Sequence, residues 1–330
     1  MSTSLRSPWC PTGPRIVFGC ARLSTHGYFF PSRREQSLAF ATLDAVAEAG
    51  GRTLETAASY SSGGSERIIG AWIAARHLED SIEVITKGGH PSLWGQQRLD
   101  ARSLARDFEA SRRNLRRDSL PLYLLHRDDP AQTVAALLAY PVKLLREKKI
   151  LQLGLSNWST ARLAAAQTYL SNEVGVSLAA SSPHFSLATW QSQPWGGCVS
   201  IAGNSEAREF HTATQLPVIA WSSAAAGFLA GKFSRQDRPQ LTRNYFENVA
   251  LKTYASSTNF ERLARLEQLA RKLETSSGTL AISYALSQPF PCYPLVSTRH
   301  PAHVAALYQA ENYPLTPQQI EWLDKGETSR

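Results

Sequence analysis

Eight short apolar or β-branched runs alternate with segments of helical pattern along this 330-residue chain, and that alternation most restricts its fold. The runs are "RIVFGCA", "RTLETA", "IEVITKGG", "LPLYLLHR", "LQLGLSN", "VSLAASS", "PVIAWSS" and "CYPLVST". Between them lie stripes at helical spacing, such as Phe40, Leu43 and Ala47, or Leu263, Leu266, Ala270 and Leu273. Strands separated by helices pair in parallel, and eight such units close most simply into a (β/α)8 TIM barrel of the α/β class. One domain over residues 1–330 is therefore expected, with residues 1–14 as a flexible leading segment. An extra helix is expected near the C-terminus, at Leu280–Leu286. A doubly wound open sheet is the alternative, but no strand is followed by GxGxxG. "GFLAGKF" is one residue too short between its glycines for a phosphate loop, and it ends in Phe233 where a hydroxyl would hold magnesium.

A hydrophobic content of 43% supports a sizeable core, and no run approaches membrane-spanning length. The first residues lack the apolar stretch of a secretory signal, so a cytoplasmic location and no membrane partner are expected. Cys10, Cys20, Cys198 and Cys292 lie far apart without a CxxC pair, which points to reduced thiols rather than a disulfide framework or a zinc site. The net charge of +8 is densest in "ARSLARDFEASRRNLRR". There Leu104, Phe108, Ser111 and Leu115 form an inward stripe and the arginines a solvated face, so no nucleic-acid partner is expected. The sequon at Asn157 has no role in a chain without a secretory signal. "HRDDP" lacks a second histidine at ligand spacing, and no metal is expected.

Barrel chemistry collects at the C-terminal ends of strands. The second strand ends in Glu55 and runs on to Tyr60; the third ends at Lys87, the fourth at His126, and the fifth at Ser156 and Asn157. A lysine at the end of an apolar strand needs an anionic partner, and Glu55 on the neighbouring strand is the candidate.

Taken together, "LETAASY", "VITKGG", "YLLHRDDP", "LGLSNWS", "SERIIG" and "PVIAWSSAAAGFLAGKF" resemble the aldo-keto reductases, in order and over essentially the whole chain. The resemblance implies a barrel that binds NADPH, with NADH as the alternative, and reduces an aldehyde or ketone without a metal. It implies Tyr60 as proton donor, Lys87 as the charge that lowers the phenol's pKa, His126 as the group orienting the substrate oxygen, and Glu55 as the partner of Lys87. Glu55 stands where the family usually has aspartate, so either the longer side chain displaces the carboxylate or the strand shifts to keep the pair.

Ser156, Asn157 and Ser182 are the implied nicotinamide-carboxamide contacts, Ser182 replacing a common glutamine. Trp221, with Ser222, is the implied ring stacked on the nicotinamide, and Ser297, Thr298 and Arg299 offer donors for a 2′-phosphate. Loop aromatics Tyr28, Trp94, Trp158 and Trp195 suggest an apolar pocket for a bulky or aromatic carbonyl, with His90 and His184 near its mouth. The expected partner is a small-molecule carbonyl substrate and the expected state a monomer. The alternatives on the same barrel are an NADPH-binding regulatory subunit and a non-redox pathway enzyme.

Overall fold

The computed structural model describes residues 9, 13–23, 33–92 and 94–326. The expected leading segment and Tyr28 fall largely outside the described residues. Strands β1 (Val17–Gly19), β2 (Thr53–Glu55), β3 (Glu83–Gly88), β4 (Leu120–Leu125), β5 (Ile150–Ser156), β6 (Ala180–Ser182), β7 (Val218–Ala220) and β8 (Cys292–Val296) follow the eight runs read from the sequence. They are hydrogen-bonded in chain order and close into a barrel, with parallel pairing where the register is resolved.

Helices α1 (Arg33–Glu48), α2 (Gly64–Arg76), α3 (Ala101–Leu115), α4 (Val134–Arg146) and α5 (Thr160–Tyr169) alternate with the first strands. They are followed by α6 (Ser205–Thr214), α7 (Tyr245–Tyr254), α8 (Ser257–Lys272), α9 (Ser277–Leu286), α10 (Val304–Tyr308) and α11 (Pro317–Lys325). Helix starts follow local chemistry: Asp100 accepts from the Ser103 amide at α3, and Thr316 forms a reciprocal capping box with Gln319 at α11. The inward stripe of α3 is buried as its sequence indicates, with Asp107 added to it. The expected extra helix is present as α9, while α7 in the loop after β7 and α11 at the end of the described residues are additions.

The chain divides into two compact units, residues 1–182 with 297–305 and residues 183–296 with 306–330. In the second, Phe185, Phe228, Leu266, Tyr284 and Phe290 belong to one buried cluster. In the first, alternation along the strands decides which side chains meet. Glu55 pairs in register with Ile85 and Lys87 with Leu124, so Glu55, Ile85 and Lys87 share one face. Thr86, on the opposite face, donates to Glu66 of α2 at 2.7 Å. Among the described residues no helix is long and apolar enough to cross a membrane.

Gly154 of β5 is required by close approach: a Cβ there would stand 2.3 Å from Leu124 Cδ2 and 3.0 Å from the Ala180 carbonyl oxygen. Gly154→Ala is expected to destabilise the protein by about 1–3 kcal/mol in urea unfolding, because an added carbon in a filled core forces its neighbours aside. An unchanged unfolding midpoint would show that this position has room.

Candidate functional site

Lys87 lies near the end of β3 and is 3% exposed. Its ammonium is ion-paired with Glu55 of β2. It also donates to the Thr56 carbonyl at 2.7 Å and the Tyr60 hydroxyl at 3.1 Å. Three acceptors match the three N–H donors of an ammonium group. Glu55 therefore reaches its expected partner despite the extra methylene, and the carboxylate is not displaced out of range. Tyr60 begins a short 3-10 turn, Tyr60–Gly63, that carries the chain from β2 into α2. The turn brings the phenol back over Lys87, whose nitrogen is 4.5 Å from the ring centroid.

His126 follows β4, and its ring meets Tyr60 edge-on at 5.7 Å. On its other side His90 makes a second edge contact at 4.7 Å. His126 is buried, and its Nδ1 has no hydrogen-bond partner among the described residues. His90 Nδ1 lies 2.8 Å from the Pro91 carbonyl oxygen. The loop carrying His90 is held from α3: Asp107 accepts from the Gly89 amide at 3.0 Å and pairs with Arg98 at 2.5 Å, and Arg98 donates to the His90 carbonyl at 3.3 Å. Gly89 adopts φ +77°, a left-handed conformation that a side chain would strain.

Burial raises the Tyr60 phenol above its ordinary pKa, and the charge of Glu55 adds to that rise; Lys87 pulls in the opposite direction and does not prevail. The sequence expectation that Lys87 lowers this pKa thus holds for the lysine's own influence, while the phenol as a whole is held protonated at neutral pH. Burial alone would lower the pKa of Lys87, but the charges of Glu55 and Tyr60 outweigh it and keep the amine protonated. Burial pushes Glu55 up, with Lys87 opposing. Burial lowers His126 well below its usual value and lowers His90 as well, so both imidazoles are neutral at pH 7. Cys20, beside Glu55, is pushed well up by burial and then by the carboxylate, which makes it a poor nucleophile.

Ser156 ends β5 and Asn157 follows it. Both donate to the Ser182 carbonyl oxygen, at 3.1 Å from the Ser156 hydroxyl and 3.2 Å from the Asn157 amide. The Asn157 side-chain amide donates to Ser156 Oγ at 2.9 Å and to the His126 carbonyl at 3.4 Å. The structure thus gathers Glu55, Tyr60, Lys87 and His126, and links His126 through Asn157 to Ser156 and Ser182. Ser297, Thr298 and Arg299 follow β8 with Ser297 and Arg299 exposed. In the second unit Trp221 and Ser222 follow β7, and the Trp221 ring lies 5.1 Å from His184, 5.7 Å from Trp190 and 6.3 Å from Trp195.

Of the expected pocket aromatics, Trp94 is 89% exposed and Trp195 donates to the Tyr245 hydroxyl at 2.9 Å. Trp158 is 2% exposed; its indole N–H donates to the Arg127 carbonyl at 3.1 Å, and Arg162 lies over its ring. This places Trp158 in the packing behind the strand ends. His184 is fully buried, with Nδ1 2.8 Å from Ser200 Oγ and Nε2 3.0 Å from the Tyr254 hydroxyl. Sequence reasoning missed Asp107, Arg98 and Arg127. The signal for Arg127 was present, since a residue directly after the apolar run ending in His126 is carried into the interior with it.

Among the described residues no cluster of three or more histidine, cysteine or acidic side chains is placed to hold a metal. For a nicotinamide cofactor the donor set fits: hydroxyl and amide groups of Ser156, Asn157 and Ser182 lie buried beside His126, and Arg299 is an exposed cation after β8.

The family model described as "Aldo/keto reductase family" matches residues 15–327. An aryl-alcohol dehydrogenase of Pestalotiopsis microspora is 25% identical over 88% of this chain and 73% of its own. Aflatoxin B1 aldehyde reductase member 2 of Rattus norvegicus is 25% identical over 83% of this chain and 70% of its own. Among solved structures, the glycerol dehydrogenase AKR11B4 of Gluconobacter oxydans superposes with a TM-score of 0.77 at 22% identity, covering 97% of this chain and 93% of that one. An aldo-keto reductase of Klebsiella pneumoniae in complex with NADPH gives 0.68 at 21% identity, covering 95% and 90%.

Removing the carboxylate by Glu55→Ala leaves Lys87 buried without its counter-ion, and is expected to cost about 3–5 kcal/mol in urea unfolding at pH 7. A loss under 1 kcal/mol would mean that the pair is dispensable. A second expectation concerns acid. Burial depresses His184 to about 3, so the stability it contributes is fully present above the unfolded value near 6.5 and is lost as pH falls from there toward 3. The loss should be on the order of 5 kcal/mol at the acid end, and a pH series of melting curves for the protein and its His184→Gln variant would reveal whether this histidine carries it.

Proposed function

The chain belongs to the aldo/keto reductase family, and on that premise we propose that it is an NADPH-dependent oxidoreductase that reduces an aldehyde or ketone to an alcohol, with Tyr60 as proton donor. The observation that carries this reading is the chain of contacts from Glu55 through the Lys87 ammonium to the Tyr60 hydroxyl, with neutral His126 beside the phenol. The named activities of the dehydrogenase and aldehyde-reductase relatives, and the NADPH held by the Klebsiella protein, support it.

When bound, the reduced nicotinamide supplies hydride to the carbonyl carbon. The chain's own task is to meet the charge that develops on the oxygen. Tyr60 accepts a hydrogen bond from Lys87 through its oxygen lone pair, which leaves its O–H directed to the substrate oxygen. As the proton leaves, the phenolate forms next to an ammonium already in place, so no charge has to move to stabilise it. Lys87 cannot be the donor of that proton, because its N–H groups are engaged with Glu55, Thr56 and Tyr60 and its pKa is raised. His126, neutral at working pH, offers an N–H to the same oxygen without adding positive charge beside Lys87. Ser156, Asn157 and Ser182 would hold the nicotinamide carboxamide, and Ser297, Thr298 and Arg299 the 2′-phosphate. A bulky or aromatic substrate agrees with the aryl alcohol and the aflatoxin B1 aldehyde in the relatives' names.

Tyr60→Phe removes the donor while keeping the ring. NADPH oxidation with a panel of aromatic and aliphatic aldehydes is expected to fall by about 10²–10⁴-fold, with cofactor binding retained in a fluorescence titration. Undiminished turnover would refute the assignment. For the unaltered protein the phenol must be protonated to act in reduction, and its pKa is raised above 10. The decline in reductive kcat assigned to Tyr60 should therefore lie above about pH 10; a decline centred near pH 7 that vanished in no His variant would point to another acid.

A further inference from the structure

Arg127 directly follows His126 and is 9% exposed. Its guanidinium donates to the His126 carbonyl oxygen at 3.1 Å, and its remaining N–H donors have no acceptor among the described residues. A buried cation is costly unless an anion pairs with it. The carboxylates of the adjoining segments have other partners: Glu55 has Lys87, Asp107 has Arg98, Asp128 has Arg162 in a two-point contact at 2.9 and 2.7 Å, and Asp129 accepts from the Ala131 amide at 3.2 Å and the Gln132 side-chain amide at 2.8 Å. Glu66 is satisfied by Thr86 at 2.7 Å and Asn114 at 3.1 Å. The segments outside the described residues contain one acidic residue, Glu327, at the far end of the chain.

The charge of Arg127 acts on Tyr60, His90 and His126, so the guanidinium belongs to their neighbourhood. Lys87 is paired with Glu55 and the two imidazoles are neutral, while the Arg127 guanidinium has no ion-pair partner among the described residues. A reduced nicotinamide ring is itself uncharged and does not balance it. A backbone contact alone does not explain the arginine either, since a neutral donor would make the same bond without the desolvation cost.

We propose that Arg127 anchors a carboxylate on the substrate, so that the preferred compounds of this site are carbonyls that also carry a monoanionic carboxylate group. The inference rests on the carbonyl-reductase reading. The planar guanidinium matches a carboxylate in a two-point hydrogen bond, and a monoanion matches its single charge. Trp158 donates to the Arg127 carbonyl and Asn157 to the His126 carbonyl, so the backbone that carries the guanidinium is fixed before any ligand arrives. Binding there would orient the substrate by two points, its carbonyl at Tyr60 and His126 and its carboxylate at Arg127.

The test compares kcat/KM with NADPH for benzaldehyde and for its 2-carboxy and 4-carboxy derivatives, in the unaltered protein, Arg127→Lys and Arg127→Met. At least one carboxy derivative should be favoured over benzaldehyde by at least about tenfold. That ratio should shrink in Arg127→Lys and approach one in Arg127→Met; because it is taken within each protein, a general loss of activity cancels. Calorimetric titration with benzoate is run alongside and needs no turnover. Benzoate binding that disappears in Arg127→Met supports the anchor even if neither aldehyde is reduced, an outcome that would overturn the reductase reading instead. Equal ratios in all three proteins, no benzoate binding, or a loss of NADPH affinity in Arg127→Met with the ratio unchanged would each overturn the carboxylate assignment.

Discussion

The buried ammonium of Lys87 is the constraint to which the other parts of the candidate site answer. An amine this deep stays charged only if its three N–H donors find acceptors, and the chain supplies a carboxylate, a backbone carbonyl and a phenol. Each acceptor comes from the same short stretch, residues 55 to 60, because β2 stops at Glu55 and the chain then turns through Thr56 to Tyr60. A longer β2 would carry the Tyr60 ring away from the amine. The early end of this strand, a feature of backbone geometry, thus sets the electrostatics of the phenol.

That arrangement also assigns different roles to groups with similar chemistry. Tyr60 and His126 are both buried, but burial acts on them in opposite senses: it keeps the phenol protonated and the imidazole neutral. Both end in their uncharged forms, and both are hydrogen-bond donors in that form. The two groups are thus neutral donors, with the positive charge of Lys87 one hydrogen bond from the phenol. A site built with a charged imidazole would place two cations around one phenol and favour its ionisation before substrate bound.

Much of this was legible in the sequence, for an identifiable reason. Strand ends are marked by a change from apolar to polar residues, and in a barrel all such ends lie at one rim, so "LETAASY", "VITK", "YLLH" and "GLSN" disclosed Glu55, Lys87, His126, Ser156 and Asn157 together. The stripe Leu104, Phe108, Ser111 and Leu115 placed α3 for a similar reason, since helical periodicity needs no tertiary information. What periodicity cannot convey is pairing between distant loops. Asp107 reads as one more charge on an arginine-rich helix, yet it turns inward to hold the Gly89 amide and Arg98. Trp158 reads as a loop aromatic suited to a pocket, and only the fold shows its indole N–H spent on the Arg127 carbonyl. The net balance on Tyr60 was equally hidden: the lysine beside it was visible, but burial outweighs that lysine and depends on every neighbour at once.

The replacement of aspartate by Glu55 shows how a local departure is absorbed. A longer carboxylate raises the chance of misplacement, but it also extends reach, and in a strand of three residues little backbone is available to adjust. Glu55 pairs in register with Ile85, and from there its carboxylate meets the Lys87 ammonium. The Glu55 side chain is buried, and its backbone carbonyl accepts from the Cys20 amide at 2.8 Å. A small thiol at position 20 leaves more room beside the carboxylate than a branched residue would. Glu55 is thus compatible with the lysine and the phenol, because its carboxylate reaches the ammonium that also meets Tyr60.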